Sequence, residues 1–225
     1  MMRSLLLATC FSLLLSTFSQ AEVTSISPPD NASIKEDSEV NVYFMGEVTP
    51  QKIVELGTTL DGINVQYGSI KGINLYINSG GGNMDAGHVG YWMIRSSRIP
   101  VRTVNLSYVG SAATLLFCAG KQRDAMSGSQ FLIHPAATQF DKGYYKPDEV
   151  ERKQRSVNES NQIFRDVYKD CTTLPDSEIT SIFKSEYFSR SLTAKEALDI
   201  GMATELTNAI RPPVGAGYVF SKDTE

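Results

Sequence analysis

The stretch YVGSAATLLFCAGKQR, residues 108–123, decides how the rest of the chain is read. Ser111 stands after a glycine and before two alanines, and the apolar run Leu115-Leu116-Phe117-Cys118-Ala119 follows at once. Two readings compete. In the first, Ser111 caps a helix that begins at Ala112, its hydroxyl satisfying an orphan N–H of the first turn. In the second, Ser111 is a nucleophile. Gly110 and Ala112 keep its approach open, and the helix behind it turns the positive end of its dipole toward developing negative charge. A nucleophilic serine also needs a base within hydrogen-bond reach and backbone donors for an oxyanion.

Both needs have candidates nearby. Upstream, GINLYIN (residues 72–78) reads as a strand that stops at Ser79-Gly80-Gly81-Gly82. Glycines let the backbone approach a ligand closely, and their N–H groups can bind an oxyanion or phosphate. The stretch lacks the lysine of a phosphate-binding loop. It is not G-x-G-x-x-G either, because Asp85 takes the last glycine's place. A plain turn remains open. Downstream, Phe131-Leu132-Ile133 ends at His134-Pro135, and the proline biases His134 toward extended backbone. A base at a strand end fits that pattern. His88, the other of the two histidines, falls mid-helix and reads as structural.

Around this centre the chain alternates strand and helix. Val40, Val42 and Phe44 alternate with Asn41 and Tyr43, which predicts a strand ending at Gly46. Residues 49–60 read as a helix, with Thr49 as N-cap and Pro50 in the first helical position. A helix follows the glycines to about Ser97, and residues 101–106 form a third strand. Strand, helix and strand repeated in this way imply parallel pairing. Residues 147–170 read as a long charged helix with i,i+4 pairs Glu149–Lys153 and Glu151–Arg155, and with apolar residues only at Ile163, Phe164, Val167 and Tyr168. Such a helix projects, half solvated and half docked. A last helix spans about 193–200 and stops at Gly201. Residues 211–225, opening with Arg211-Pro212-Pro213, read as a tail, and residues 22–38 as a polar leader.

Composition bounds the function. With 225 residues, 41% hydrophobic and 20% charged, the chain fits one globular domain with a real core. A net charge of −4 with no basic stripe argues against nucleic acid as partner. In residues 1–21, Arg3 precedes an apolar stretch from Leu5 to Leu15, and Ser19 and Ala21 suit a cleavage site. This predicts a signal peptide cleaved after Ala21 and a secreted or periplasmic chain with no membrane span after cleavage. The apolar stretch is too short for a comfortable uncleaved anchor. Beyond it, Cys118 and Cys171 could form a disulfide in an oxidising compartment or remain two buried thiols, and their spacing fits no metal site. No cofactor or metal is expected.

Taken in order, LYINSGGG, VGSAATLLFCAG and FLIHPAA resemble the Clp protease proteolytic subunit (ClpP), within the larger crotonase-like fold. The resemblance covers residues 39–210. It implies an α/β fold, a ClpP/crotonase-like repeated ββα spiral with the long helix as a projecting handle. It implies a serine endopeptidase in which Ser111 is the nucleophile, His134 the general base, and the backbone N–H groups of Gly82 and Ala112 the oxyanion donors. The substrate peptide would pair beside Gly80, Gly81 and Asn83 and along residues 131–134. The handle implies a homo-oligomer enclosing the sites, with the apolar half of the helix at the interface. A signal peptide would separate the chain from ATP, so the expected substrates are peptides or already unfolded polypeptides.

Three departures from the family pattern stand out. The family's proline before its paired glycines is Gly80 here, which would loosen the loop. Two fewer residues separate serine from histidine, with the shortening expected in a turn over 121–126. The family's catalytic aspartate has no clean match. Counting forward from Ile179 gives Glu186, and counting back from TAKEALDIG gives Ser189, which cannot serve as an acid. Glu186 is the candidate, against a Ser–His dyad or another carboxylate. Two further readings stay open: a Ser–Lys protease like signal-peptide peptidases, with Lys121 or Lys142, and a non-catalytic oligomeric scaffold.

Overall fold

The computed structural model describes residues 21–26, 34–68 and 70–221, so the expected signal peptide lies almost wholly outside the described residues. The elements are β1 (Ala21–Ile26), β2 (Glu39–Met45), α1 (Pro50–Gln66), β3 (Gly72–Ser79), α2 (Met84–Arg95), β4 (Val101–Gly110), α3 (Ala113–Cys118), β5 (Gln122–Met126) and β6 (Gln130–Ile133). There follow α4 (Pro147–Cys171), α5 (Asp176–Ile182), a 3-10 turn at Glu186–Phe188, β7 (Arg190–Thr193), α6 (Ala194–Asp199), β8 (Glu205–Thr207) and β9 (Gly215–Ser221).

One mixed sheet in the order β1-β9-β2-β3-β4-β5-β8 carries the chain. The pairs among β2, β3, β4 and β5 are parallel, as the alternation of strands and helices predicts. β4 is long enough to serve two partners. Arg102–Asn105 pairs with β5, and Tyr108–Gly110 pairs with β6. β6 in turn pairs antiparallel with β7. The second half of β4 stays paired with β3 through Ser79↔Val109, exchanges β5 for β6 on its other side, and so delivers Ser111 beside the end of β6.

The buried face explains the elements. Val42, Phe44, Ile73, Leu75 and Ile77 from the strands meet Ile53, Leu56 and Leu60 of α1 and Leu115 and Leu116 of α3, all within 2% of complete burial. Thr49 caps α1 as expected, its hydroxyl accepting from Lys52 N. The helix runs past Leu60 to Gln66, because Ile63 continues the buried stripe one turn further.

Several expectations need correction. Gly215–Ser221 is a strand: β9 lies between β1 and β2, parallel to β2. Residues 215–221 are thus part of the sheet, and the glycines at 215 and 217 masked a period-two pattern completed by Val219. The leader contributes β1, antiparallel to β9 from Ala21↔Ser221 to Ile26↔Ala216. The expected turn over 121–126 is mostly strand β5. In α4, Glu151–Arg155 forms an ion pair at 3.2 Å, but Glu149 caps Lys146 N and Lys153 donates to Gln139 O. The apolar half of α4 is buried within this chain, with Phe164 2% and Tyr168 0% exposed. It is therefore not a free interface. The exposed face lies on the N-terminal half. Among the described residues, no helix is long and apolar enough to cross a membrane.

Cys118 and Cys171 form a disulfide, with Cα atoms 5.5 Å apart, that ties the end of α3 to the end of α4.

Candidate active site

Ser111 is not a helix cap. The N-cap of α3 is Ala112, with no side-chain capping bond, and among the described residues the Ser111 hydroxyl has no hydrogen-bond partner. Its backbone is unusual: φ is 52°, the only positive φ at a non-glycine among the described residues. An L-residue adopts this left-handed conformation at a cost of roughly 1–3 kcal/mol, and it persists only where surrounding structure enforces it. Here Ser111 N donates to Leu132 O at 3.0 Å, and Ser111 O accepts from Thr114 N at 2.9 Å and from Thr114 Oγ1 at 2.6 Å. The result is a sharp strand-to-helix turn that leaves the side chain unspent.

The glycine loop packs on this turn. Gly81 has φ 101°, and a side chain there would place its first carbon 2.5 Å from Ser111 Cβ and 2.9 Å from Ala112 N. Gly82 has φ 145°, and a side chain there would run into Val48 O. The loop is pinned from the other side. Val48 N donates to Gly81 O at 2.7 Å, and Asn83 N donates to Val48 O at 2.8 Å. Gly82 N and Ala112 N donate no hydrogen bond among the described residues. Two backbone donors without partners thus flank Ser111, as an oxyanion site requires.

The other members of the predicted loop differ. Gly80 lies outside the left-handed region, and a side chain there would meet nothing closer than Tyr108 Cε1 at 3.9 Å. Its backbone does not use a glycine's freedom. Asn83 is committed to α2: its N–H is held by Val48, its carbonyl accepts from Gly87 N, and its Oδ1 accepts from Ala86 N at 2.8 Å. Little of it remains for a substrate.

His134 follows β6 directly, its side chain 21% exposed, with Nδ1 3.4 Å from Glu186 Oε2. That orientation leaves Nε2 as the ring nitrogen free for a hydroxyl, the division of labour a catalytic triad uses. Glu186 reaches from the 3-10 turn and is 74% exposed. Ser189, the other candidate position, sits one step beyond the last β6–β7 pair, Ile133↔Arg190, and so beside His134 across the ladder. Its hydroxyl is buried with no partner. Among the described residues no hydrogen bond joins Ser111 Oγ to His134, a looseness common in unliganded sites. His88 accepts from Trp92 Nε1 at 3.1 Å, one turn along α2.

Among the described residues neither lysine alternative makes a hydrogen bond to the serine. Lys121 immediately precedes β5, whose Gln122 pairs with Arg102 at the start of β4. At ~3.3 Å per strand residue that is on the order of 30 Å from Ser111. Lys142 is exposed in the segment between β6 and α4. Thr114 escaped the sequence reading: a threonine at the second position of a short apolar helix carries no signal until its partner carbonyl is seen.

A mixed, largely parallel α/β sheet whose long strand ends in a strained serine, backed by a short helix and facing a glycine loop, defines the class of this α/β chain. The chain belongs to the Clp protease family: the family model for Clp protease matches residues 38–209. It is similar to the ATP-dependent Clp protease proteolytic subunit of Deinococcus radiodurans, with 28% identity over 141 residues, covering 62% of this chain and 66% of that protein. It is also similar to ATP-dependent Clp protease proteolytic subunit 3 of Rhizobium meliloti, with 23% identity over 172 residues, 76% of this chain and 84% of that protein. In fold it matches a ClpP1 mutant from Listeria monocytogenes with a TM-score of 0.62 at 20% identity, covering 75% of this chain and 91% of that one.

Proposed function

We propose that this protein is a serine endopeptidase that hydrolyses peptides or unfolded polypeptides without ATP. Ser111 Oγ attacks the peptide carbonyl while His134 takes its proton. The tetrahedral oxyanion is held by Gly82 N–H and Ala112 N–H, and His134 then protonates the leaving amine. Water repeats the sequence on the acyl-enzyme. Glu186 orients His134 through Nδ1 and stabilises the imidazolium. Substrate binding closes the Ser111–His134 hydrogen bond.

The observation that carries this reading is Ser111 itself, in a strained conformation with its hydroxyl spent on no cap and two unpaired N–H donors beside it. Its family supports the reaction class. The Cys118–Cys171 disulfide supports an oxidising compartment, hence export after cleavage near Ala21. The exposed half of α4 is the surface for a homo-oligomer that encloses the sites. Hydrolysis of a fluorogenic peptide by purified protein without nucleotide tests the reading. Ser111→Ala should abolish turnover at an unchanged oligomeric state, and unchanged turnover would refute it.

The competing reading is a scaffold that kept the fold and lost the chemistry. What favours it is that no hydrogen bond joins Ser111 Oγ to His134 among the described residues, and that the acid is held only by an exposed turn.

A further inference from the structure

The Ser111 carbonyl is held by a chain of hydroxyls. Thr114 Oγ1 lies 2.6 Å from Ser111 O and also 2.6 Å from the Tyr168 hydroxyl. A carbonyl only accepts, so the single threonine proton goes to Ser111 O, and Tyr168 must donate to Thr114. The order is Tyr168 O–H to Thr114 O–H to Ser111 C=O. Thr114 and Tyr168 are both 0% exposed, so no solvent competes. Burial also pushes the Tyr168 pKa well above the usual tyrosine range, which keeps the donor proton in place. Hydroxyls in such a chain polarise one another and strengthen each bond.

The chain is not needed merely to hold two helices together. The Cys118–Cys171 disulfide already closes the α3–α4 seam about one turn beyond Thr114 and Tyr168. Phe164 and Phe183 pack around the Tyr168 ring, with centroids 5.9 Å away in each case, so a phenylalanine at 168 would fill the same space. What the phenol adds is direction: it orients the Thr114 hydroxyl onto the carbonyl of the one residue that carries left-handed strain.

We propose that Tyr168 and Thr114 are positioning residues that hold Ser111 in its strained conformation, so that helix α4 sets the placement of the nucleophile. The proposal rests on the reading of Ser111 as that nucleophile. Its test uses the full-length protein and the variants Tyr168→Phe, Thr114→Val and Thr114→Ser. Each is read by kcat and KM on a fluorogenic peptide and by the rate constant of labelling with a fluorophosphonate probe. A thermal melt on the same samples sets a temperature at which all are folded.

Tyr168→Phe should lower kcat and labelling about tenfold, the scale of one net hydrogen bond. Thr114→Val should lower them further, on the order of 30-fold, with KM within about twofold, because the loss lies in alignment rather than substrate binding. Thr114→Ser, which keeps the hydroxyl, should recover most of the rate. Wild-type rates in both Tyr168→Phe and Thr114→Val would overturn the proposal, as would Thr114→Ser being as slow as Thr114→Val. Losses that track the unfolded fraction would overturn it too. A wild type that is not labelled at all would overturn the nucleophile reading and this proposal together, whereas a labelled wild type with unaffected variants overturns the positioning role alone.

Discussion

The two halves of the candidate site are built differently. On the nucleophile side nearly every backbone atom is fixed. Ser111 is tied to Leu132 and Thr114, the glycine loop is tied to Val48, and α3 is covalently joined to α4. On the acid side, Glu186 stands on a three-residue 3-10 turn, 74% exposed, with Tyr187 89% exposed beside it. A position fixed by strand order, a bound carbonyl and a close glycine packing tolerates little change. A carboxylate delivered by an exposed turn can come from a different residue and still reach the same ring nitrogen. The contrast explains why the candidates Ser111 and His134 stand out in the sequence while the candidate for the acid does not.

The sharpest way to break this comparison lies within the glycine loop. Gly81→Ala should lower kcat/KM by 10²-fold or more, because its new carbon would press on Ser111 Cβ from a backbone at φ 101°. Gly80→Ala, one residue earlier, should stay within a few-fold, since nothing lies within 3.9 Å of that carbon. Steady-state kinetics on the two variants check this. Equal effects would show that the loop is not held where the contacts put it.

The acid side comes next. Glu186→Gln should lower kcat on the order of 10²-fold with KM nearly unchanged. Loss of an orienting carboxylate can cost up to about 10⁴-fold, and this one is exposed and 3.4 Å from its partner. The melting temperature should not move, because the carboxylate buries little. A kcat within a few-fold of wild type would remove Glu186 from the site and leave a Ser–His dyad.

A smaller effect on turnover, but a larger one on stability, is expected from the covalent tie on the nucleophile side. Opening Cys118–Cys171, which spans 53 residues, should cost about 4 kcal/mol by loop entropy. For a chain of this size that corresponds to a fall in Tm of about 10 °C. A melt of the Cys171→Ser variant beside wild type reads it, and an unchanged Tm would show that the seam is held by packing alone.

What the sequence revealed follows the same division. Strands β2, β3 and β4 and helices α1 and α2 were legible because parallel strands buried on both faces and caps such as Thr49 and Pro50 leave strong local signals. The strand-end placement of Ser111 and His134 was legible because each directly follows a strand. β7 and β8 span only four and three residues, and β9 opens on two glycines, so none carried enough pattern to be seen. The two counts for the acid differ by three residues, and that interval is the 3-10 turn Glu186–Phe188. The structure places Ser189 across the ladder from His134 and Glu186 against its ring. Contacts between distant segments, such as Thr114 with Tyr168, have no local signature at all.

The central claim is that Ser111 is an activated nucleophile, and covalent labelling tests it most directly. Purified protein treated with a fluorophosphonate probe should carry one adduct, mapped by peptide mass spectrometry to Ser111. Labelling should be absent in Ser111→Ala and strongly reduced in His134→Ala. An unlabelled wild type, or an adduct on another residue that persists in Ser111→Ala, would contradict the account.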